Sequence, residues 1–273
     1  MNMDDVKERG LVMLGCGKMG SAMLQGWLNQ GLPAASVWVI DPMPSDWVLG
    51  LVADGLHLNA DLPDAPAIAL IAVKPQMMGQ ALPSLQKMGG GKTLFISVAA
   101  GTLISAFEAV LGASTPIVRA MPNTPAAVSR GITALFGNEY ADAAQIDLAE
   151  ALLQAVGQTV RLEDEAQMDA VTGVSGSGPA YVFHLIEALA AAGEAQGLPA
   201  DLAMKLAKAT VGGAGQLAEM ADEDPAQLRV NVTSPKGTTA AALEVLMDEQ
   251  TGFTPLLKRA VKASADRSRE LSK

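Results

Sequence analysis

The sequence predicts an α/β protein of two domains: a doubly wound sheet over residues 1–162, followed by an all-α domain over residues 163–273. Three observations lead there. A short apolar strand passes through a glycine turn straight into a helix. Apolar strands then alternate with helical stretches as far as Leu162, and from Glu163 onward only helical periodicity and alanine-rich runs remain.

The glycine turn is Gly15-Cys16-Gly17-Lys18-Met19-Gly20, placed directly after the apolar run Leu11-Val12-Met13-Leu14. Such a run suits a parallel strand buried on both faces. Gly15 allows the tight turn, Gly17 lets a pyrophosphate approach the backbone, and Gly20 lets the following helix sit close to the sheet. The free N–H groups and the positive dipole end of that helix face the phosphates. Cys16, Lys18 and Met19 complete the loop, and Cys16 reads as a small side chain beneath the ligand rather than a redox thiol. Val37-Trp38-Val39-Ile40 forms a second strand ending at Asp41, about 20 residues past Gly20, where an acid accepts hydrogen bonds from the adenosine ribose hydroxyls. A glycine triplet alone is weak evidence, because a plain βαβ turn also uses glycine. Strand, helix and acid together make this a Rossmann-type dinucleotide cradle.

Composition bounds the rest. With 273 residues, 49% hydrophobic content and only 4% aromatic, the chain is long enough for two cores built from Ala, Val, Leu and 14 Met. A net charge of −10 argues against nucleic acid as a partner, since no basic surface could neutralise a run of phosphates. The single cysteine, Cys16, cannot close an intramolecular disulfide, which fits a reducing cytoplasm. Residues 1–9 are charged and lack an apolar signal core. The strongest apolar run, 65–73, stops at Lys74-Pro75, well short of the roughly 20 residues a bilayer requires. A cytoplasmic protein with no membrane partner and no metal is expected.

After Asp41, Pro42-Met43-Pro44 breaks the chain and Ser45 caps a short helix running to Ala53. His57-Leu58 opens a short third strand, with His57 structural. Residues 67–73 form a buried strand, and Lys74-Pro75-Gln76 opens a helix to Met88 that Gly89-Gly90-Gly91 ends. Residues 93–98 repeat the pattern, passing through Ala99-Ala100-Gly101 into a helix near Thr102. The strand 116–120 leaves through the rigid loop Met121-Pro122-Asn123-Thr124-Pro125-Ala126, and a strand (132–136), a helix (142–156) and a last strand (159–162) complete the sheet. Ligands of doubly wound sheets bind outside the carboxyl ends of the strands, so Val73-Lys74-Pro75, Ala99-Ala100 and Asn123 should converge on the cofactor. Lys74 could meet a phosphate or ribose; Asn123 could fix the nicotinamide ribose or carboxamide.

In the second half, Gly176-Ser177-Gly178-Pro179 starts a helix over 180–196, with Ser177 as N-cap and Pro179 in the first turn. His184 and Glu187 on it are candidates for acid–base work, although a histidine between Phe183 and Leu185 is more often packed or interfacial. More telling is Val232-Thr233-Ser234-Pro235-Lys236-Gly237-Thr238-Thr239-Ala240-Ala241-Ala242-Leu243. Plain capping needs one Ser or Thr, whereas four hydroxyls fall within seven residues here. The pattern reads as an anion site: N–H groups around 237–239 and the Ser234 hydroxyl hold a small carboxylate, with Lys236 available to add charge.

These segments, together with Ala72-Val73-Lys74-Pro75, Ser97-Val98-Ala99-Ala100-Gly101, Arg119-Ala120-Met121-Pro122-Asn123-Thr124-Pro125 and Gly176-Ser177-Gly178-Pro179-Ala180-Tyr181, make the chain similar over essentially its whole length to the pyrroline-5-carboxylate reductases. The resemblance implies reduction of the cyclic imine 1-pyrroline-5-carboxylate to L-proline, the last step of proline biosynthesis, by hydride from NADPH or NADH. It implies that the helical domain makes an intertwined homodimer, often within a larger assembly of dimers, and that each active site joins one subunit's cofactor domain to its partner's helices. Ser234 and Thr239 match positions that hold the substrate carboxylate and the ring nitrogen and are the candidate catalytic residues; Lys236, Gly237 and Thr238 complete the substrate-binding set. The acidic cluster Asp222-Glu223-Asp224 matches a region lending a carboxylate near that nitrogen, and Glu223 stands here for the three. Two positions depart from the pattern. Lys236 stands where the family usually has glycine, and Asp41 is an acid where an NADPH enzyme prefers a neutral or basic group, which makes NADH a candidate. A β-hydroxyacid dehydrogenase would share the domain plan but needs a catalytic lysine, and residues 175–181 offer none. A non-catalytic dinucleotide sensor would not need the hydroxyl-rich helix start.

Overall fold

The computed structural model describes residues 3–271, which fall into two compact units. One runs to Gly176 and takes in the chain again from Ser264; the other is Ser177–Ala263. Of the charged opening stretch, Met3–Arg9 forms helix α1, while Met1 and Asn2 lie outside the described residues.

The first unit is built on eight strands: β1 Leu11–Leu14, β2 Val37–Ile40, β3 His57–Leu58, β4 Ile68–Ile71, β5 Leu94–Ser97, β6 Ile117–Met121, β7 Gly131–Gly137 and β8 Gly157–Arg161. Their order is β3-β2-β1-β4-β5-β6-β7-β8, and the winding reverses beside β1, the switch point of a doubly wound sheet. Every neighbouring pair is parallel except β6 and β7, which run antiparallel. Helices α2 Lys18–Asn29, α3 Asp46–Leu51 and α6 Ala143–Leu153 cover one face, and α4 Met78–Ala81 and α5 Ile104–Leu111 the other. The alternating side chains of β1 divide between the two cores, Leu11 and Met13 entering one and Val12 and Leu14 the other. That is why the run is apolar without interruption. Trp27 of α2 is fully buried, and its indole N–H donates to the Leu152 carbonyl at 2.8 Å, so its one polar atom is satisfied.

Two local expectations change. Residues 75–88 do not form one helix: the short α4 sits between tighter 3₁₀ turns at Pro75–Met77 and Leu82–Met88. Pro83 lacks an N–H to continue an α ladder, and its ring crowds the carbonyl of the preceding turn. Ser177 occupies the first position before its helix but caps nothing, because a π-helical turn, Thr172–Gly176, follows α7 Met168–Val171 and delivers Ser177 already in the helical region of backbone space. By contrast, Ser45 caps α3 as expected, accepting the Val48 N–H, and Asp142 with Gln145 forms a capping box on α6.

The second unit contains α8 Gly178–Ala195, α9 Ala200–Met220, α10 Pro225–Asn231, α11 Thr238–Leu246 and most of α12 Phe253–Leu271. Helices α8 and α9 pack through small residues: Ala190, Ala203 and Ala207 are buried, and a methyl on Gly193 would touch Ala203. Little else is covered. Phe183, Leu206, Leu217, Met220 and Val245 are exposed on this unit. The end of α12, from Ser264, belongs to the first unit, where a methyl on Gly101 would lie 2.9 Å from Leu271 Cβ.

Candidate active site

The parallel register aligns Leu14 with Ile71, Ile71 with Ser97 and Ser97 with Arg119, so the chain leaves β1, β4 and β5 at one edge of the sheet. The glycine loop, Val73-Lys74-Pro75, Ala99-Ala100 and, just beyond the end of β6, Asn123 gather there, and Asp41 follows the end of β2 at the same edge.

Within the loop the three glycines meet different neighbours. Gly15 adopts φ +86°, donates its N–H to the Ile40 carbonyl at 2.8 Å, and would place a methyl 3.1 Å from the Ala72 carbonyl oxygen. A methyl on Gly20 would lie 2.9 Å from the Gly15 carbonyl, so α2 sits as close to the loop as glycine allows. A methyl on Gly17 would meet nothing within 4 Å. Gly17 is also the cap position of α2, whose first N–H groups receive no side-chain cap. Open space at Gly17 thus adjoins helix N–H groups that no side chain caps, which fits a dinucleotide pyrophosphate. Lys18 is exposed and Met19 half-buried beside it.

Cys16 is buried, its thiol 3.6 Å from the Ser21 hydroxyl. Burial pushes the thiol above its ordinary value, and the neighbouring Asp41 charge pushes in the same direction, outweighing the Ser21 contact. It stays protonated at neutral pH and is no nucleophile. Its N–H donates to Asp41 Oδ2 at 2.9 Å, and Asp41 Oδ1 accepts the Met43 N–H at 2.8 Å. Asn59 clamps the Asp41 backbone from both sides, accepting its N–H and donating to its carbonyl.

Lys74 is exposed at the exit of β4, and beyond β5 Ala99 is buried with its N–H on Ser97 Oγ. Asn123 is used as a brace: its Oδ1 accepts the Ile132 N–H at 3.0 Å, and its Nδ2 donates to the Ser175 carbonyl and hydroxyl. The amide therefore ties the exit loop of β6 to the start of β7 and to the π turn, leaving one N–H and a second lone pair for any ligand.

In the second unit Asp224 caps α10 through the Gln227 N–H, which leaves Asp222 and Glu223 exposed. Thr233 turns its hydroxyl back to the Arg229 carbonyl, away from the tip of α11. The Gly237 N–H is committed to the Ser234 carbonyl in a tight turn, with Lys236 at φ +57°. The donors left at this tip are thus the N–H groups of Thr238 and Thr239, since α11 has no side-chain cap, together with the Ser234, Thr238 and Thr239 hydroxyls. His184 and Glu187 form an exposed pair, 3.1 Å apart, on α8.

Residues 165–271 match the family described as pyrroline-5-carboxylate reductase dimerisation, and residues 11–101 match NADP oxidoreductase coenzyme F420-dependent. The pyrroline-5-carboxylate reductase of Pseudomonas aeruginosa is 40% identical over 265 residues, covering 96% of each chain. The chain belongs to the pyrroline-5-carboxylate reductase family. Among solved structures, a pyrroline-5-carboxylate reductase from Coxiella burnetii matches with a TM-score of 0.88 at 34% identity, covering 97% of this chain and 99% of that one. A Plasmodium falciparum pyrroline carboxylate reductase with NADP bound matches with a TM-score of 0.84 at 28% identity over 98% of this chain and 99% of its own.

One arrangement in this member of the reductase family escaped the sequence reading. Arg119 lies inside β6 almost fully buried, and its guanidinium meets Glu165 Oε1 at 2.8 Å; the same oxygen accepts the Ile104 N–H at the start of α5. A lone arginine in the run Ile-Val-Arg-Ala-Met was the available signal, because a cation in a buried strand requires a partner. The distance in sequence between residues 119 and 165 concealed which partner.

Proposed function

We propose that this chain reduces 1-pyrroline-5-carboxylate to L-proline with NADPH or NADH, the final step of proline biosynthesis. The observation that carries the reading is the cradle at Gly17, where open space meets unpaired helix N–H groups. Membership of the family and the uncapped, hydroxyl-rich tip of α11 support it. A reduced nicotinamide, when bound, supplies the hydride. The chain's own work is to bind and orient. The glycine loop holds the pyrophosphate, Val73, Lys74, Pro75, Ala99 and Ala100 line the path to the nicotinamide, and Asn123 stiffens the loop against it. Ser234, Thr238 and the N–H groups at the α11 tip take the substrate carboxylate, and Lys236 adds charge from solvent. Thr239 offers its hydroxyl to the imine nitrogen; an imine is basic enough to need no stronger acid, and Glu223 sits on the segment that would balance the resulting positive charge.

In this reading residues 1–162 bind the dinucleotide and residues 163–273 bind substrate and a second copy. The assembly is a homodimer or a larger set of dimers that brings the two sites together. The net charge of −10 speaks against nucleic acid. Among the described residues no helix is long and apolar enough to cross a membrane, which suits a cytoplasmic enzyme. The test is direct: purified protein with racemic pyrroline-5-carboxylate and either reduced cofactor, followed at the nicotinamide absorbance with proline quantified. Cofactor loss with matching proline supports the reading, and no proline with either cofactor overturns it. Thr239→Ala should lower kcat by about tenfold or more with little change in KM, and Ser234→Ala should chiefly raise KM for the imine.

A further inference from the structure

We propose that Asp41 is a fixed selector for NADH over NADPH, a conclusion that rests on reading the glycine loop as the dinucleotide cradle. An acid at the end of the second strand receives the ribose hydroxyls of NADH, and the same charge repels the 2′-phosphate of NADPH. Charge alone would not decide the matter if the side chain could swing aside. Here it cannot swing freely. One carboxylate oxygen is held by the Cys16 N–H inside the glycine loop and the other by the Met43 N–H. Asn59, itself in the left-handed region at φ 48°, clamps the Asp41 N–H and carbonyl at 3.0 and 2.9 Å. Two backbone donors and one side-chain clamp therefore keep a negative charge where the ribose must lie, with lone pairs left to accept its hydroxyls.

The segment that would have to hold a 2′-phosphate, Pro42-Met43-Pro44-Ser45, contains no cation, and the Ser45 hydroxyl already caps α3. A cation that shares a surface with this segment is Lys18, which lines a shallow depression of about 330 Å³ together with Ser45 and Trp47. Lys18 is solvent-exposed, so its attraction for a phosphate is screened, whereas the Asp41 carboxylate would meet that phosphate at short range.

The decisive measurement is the pair of dissociation constants for NADH and NADPH, read by quenching of tryptophan fluorescence on the intact protein, beside kcat/KM for each. We expect NADH to bind about tenfold or more tightly than NADPH. Asp41→Ser should narrow or invert the ratio; Asn59→Gly, which keeps the backbone conformation but removes the clamp, should narrow it in part; and Lys18→Ala should change both affinities by the same factor. Equal or tighter NADPH binding by the unaltered protein overturns the proposal while leaving the cradle reading intact. An unchanged ratio in Asp41→Ser, or a selective loss of NADPH in Lys18→Ala, overturns Asp41 as the selector. Failure to bind either dinucleotide removes the cradle reading, and this proposal with it.

Discussion

Gly17 and Gly20 are three residues apart in one motif, yet their surroundings predict opposite consequences of the same substitution. Gly17 adopts φ −71°, which alanine tolerates, and a methyl there enters open space, so Gly17→Ala should leave the unfolding midpoint unchanged. It should nevertheless raise KM for the dinucleotide by about tenfold or more, because the methyl stands where the pyrophosphate must approach. Gly20→Ala drives a methyl to 2.9 Å from a backbone carbonyl that cannot step aside, and should cost about 2 kcal/mol in urea unfolding. Lys236 is a third case. Its φ of +57° suits glycine better than lysine: the turn into α11 requires a left-handed residue, whatever the ligand. Lys236→Gly should therefore raise stability by about 0.5 kcal/mol, and KM for the imine tells whether the lysine charge also matters to the substrate.

Elements are tied together by a few polar contacts between residues distant in sequence. Glu165 joins β6 to α5 by accepting from both Arg119 and the Ile104 N–H. Glu165→Ala would strand a buried guanidinium and an uncapped helix start, and should cost about 3 kcal/mol in equilibrium unfolding, with Glu165→Gln costing less. The edge strand β8 is held to α6 by Arg161, which reaches Asp147 and Glu150, while Thr159 also donates to Glu150. The Arg161 hydrogen bond holds the Glu150 carboxyl below its ordinary value of 4.5. A carboxyl depressed in the folded state contributes stability that is complete above that value and is lost as pH falls through the lowered one. Arg161→Gln should thus lower stability at neutral pH and flatten its decline below about pH 4.5, as measured by urea unfolding at a series of pH values.

At the scale of the whole molecule, the second unit is short of a core. Its buried cluster consists of three alanines, and Phe183, Leu206 and Leu217 remain in contact with solvent in a single copy. Apolar area of that kind destabilises an isolated unit unless another surface covers it, and the dimerisation region of the family spans these residues. The protein is a homo-oligomer. Phe183→Glu combined with Leu206→Glu should produce a smaller species in light scattering and a lower unfolding midpoint; an unchanged mass would place the interface elsewhere.

Most of the strands were legible because β1, β4 and β5 are buried on both faces and must be apolar without a break. The glycine loop was legible because each glycine answers a local steric demand, and so was the hydroxyl-rich helix start. What the sequence alone determined was therefore most of the elements and their order along the chain, since these follow from hydrophobic period and local backbone geometry. The tertiary structure decided which polar groups are still free to act. Asn123 is braced by Ile132 and Ser175, the Gly237 N–H is committed to the Ser234 carbonyl, Arg119 finds Glu165, and Asp41 is pinned by donors from the glycine loop and from the chain beyond β2. A hydrogen bond is satisfied by whichever partner arrives in space, and no spacing along the chain encodes that arrival.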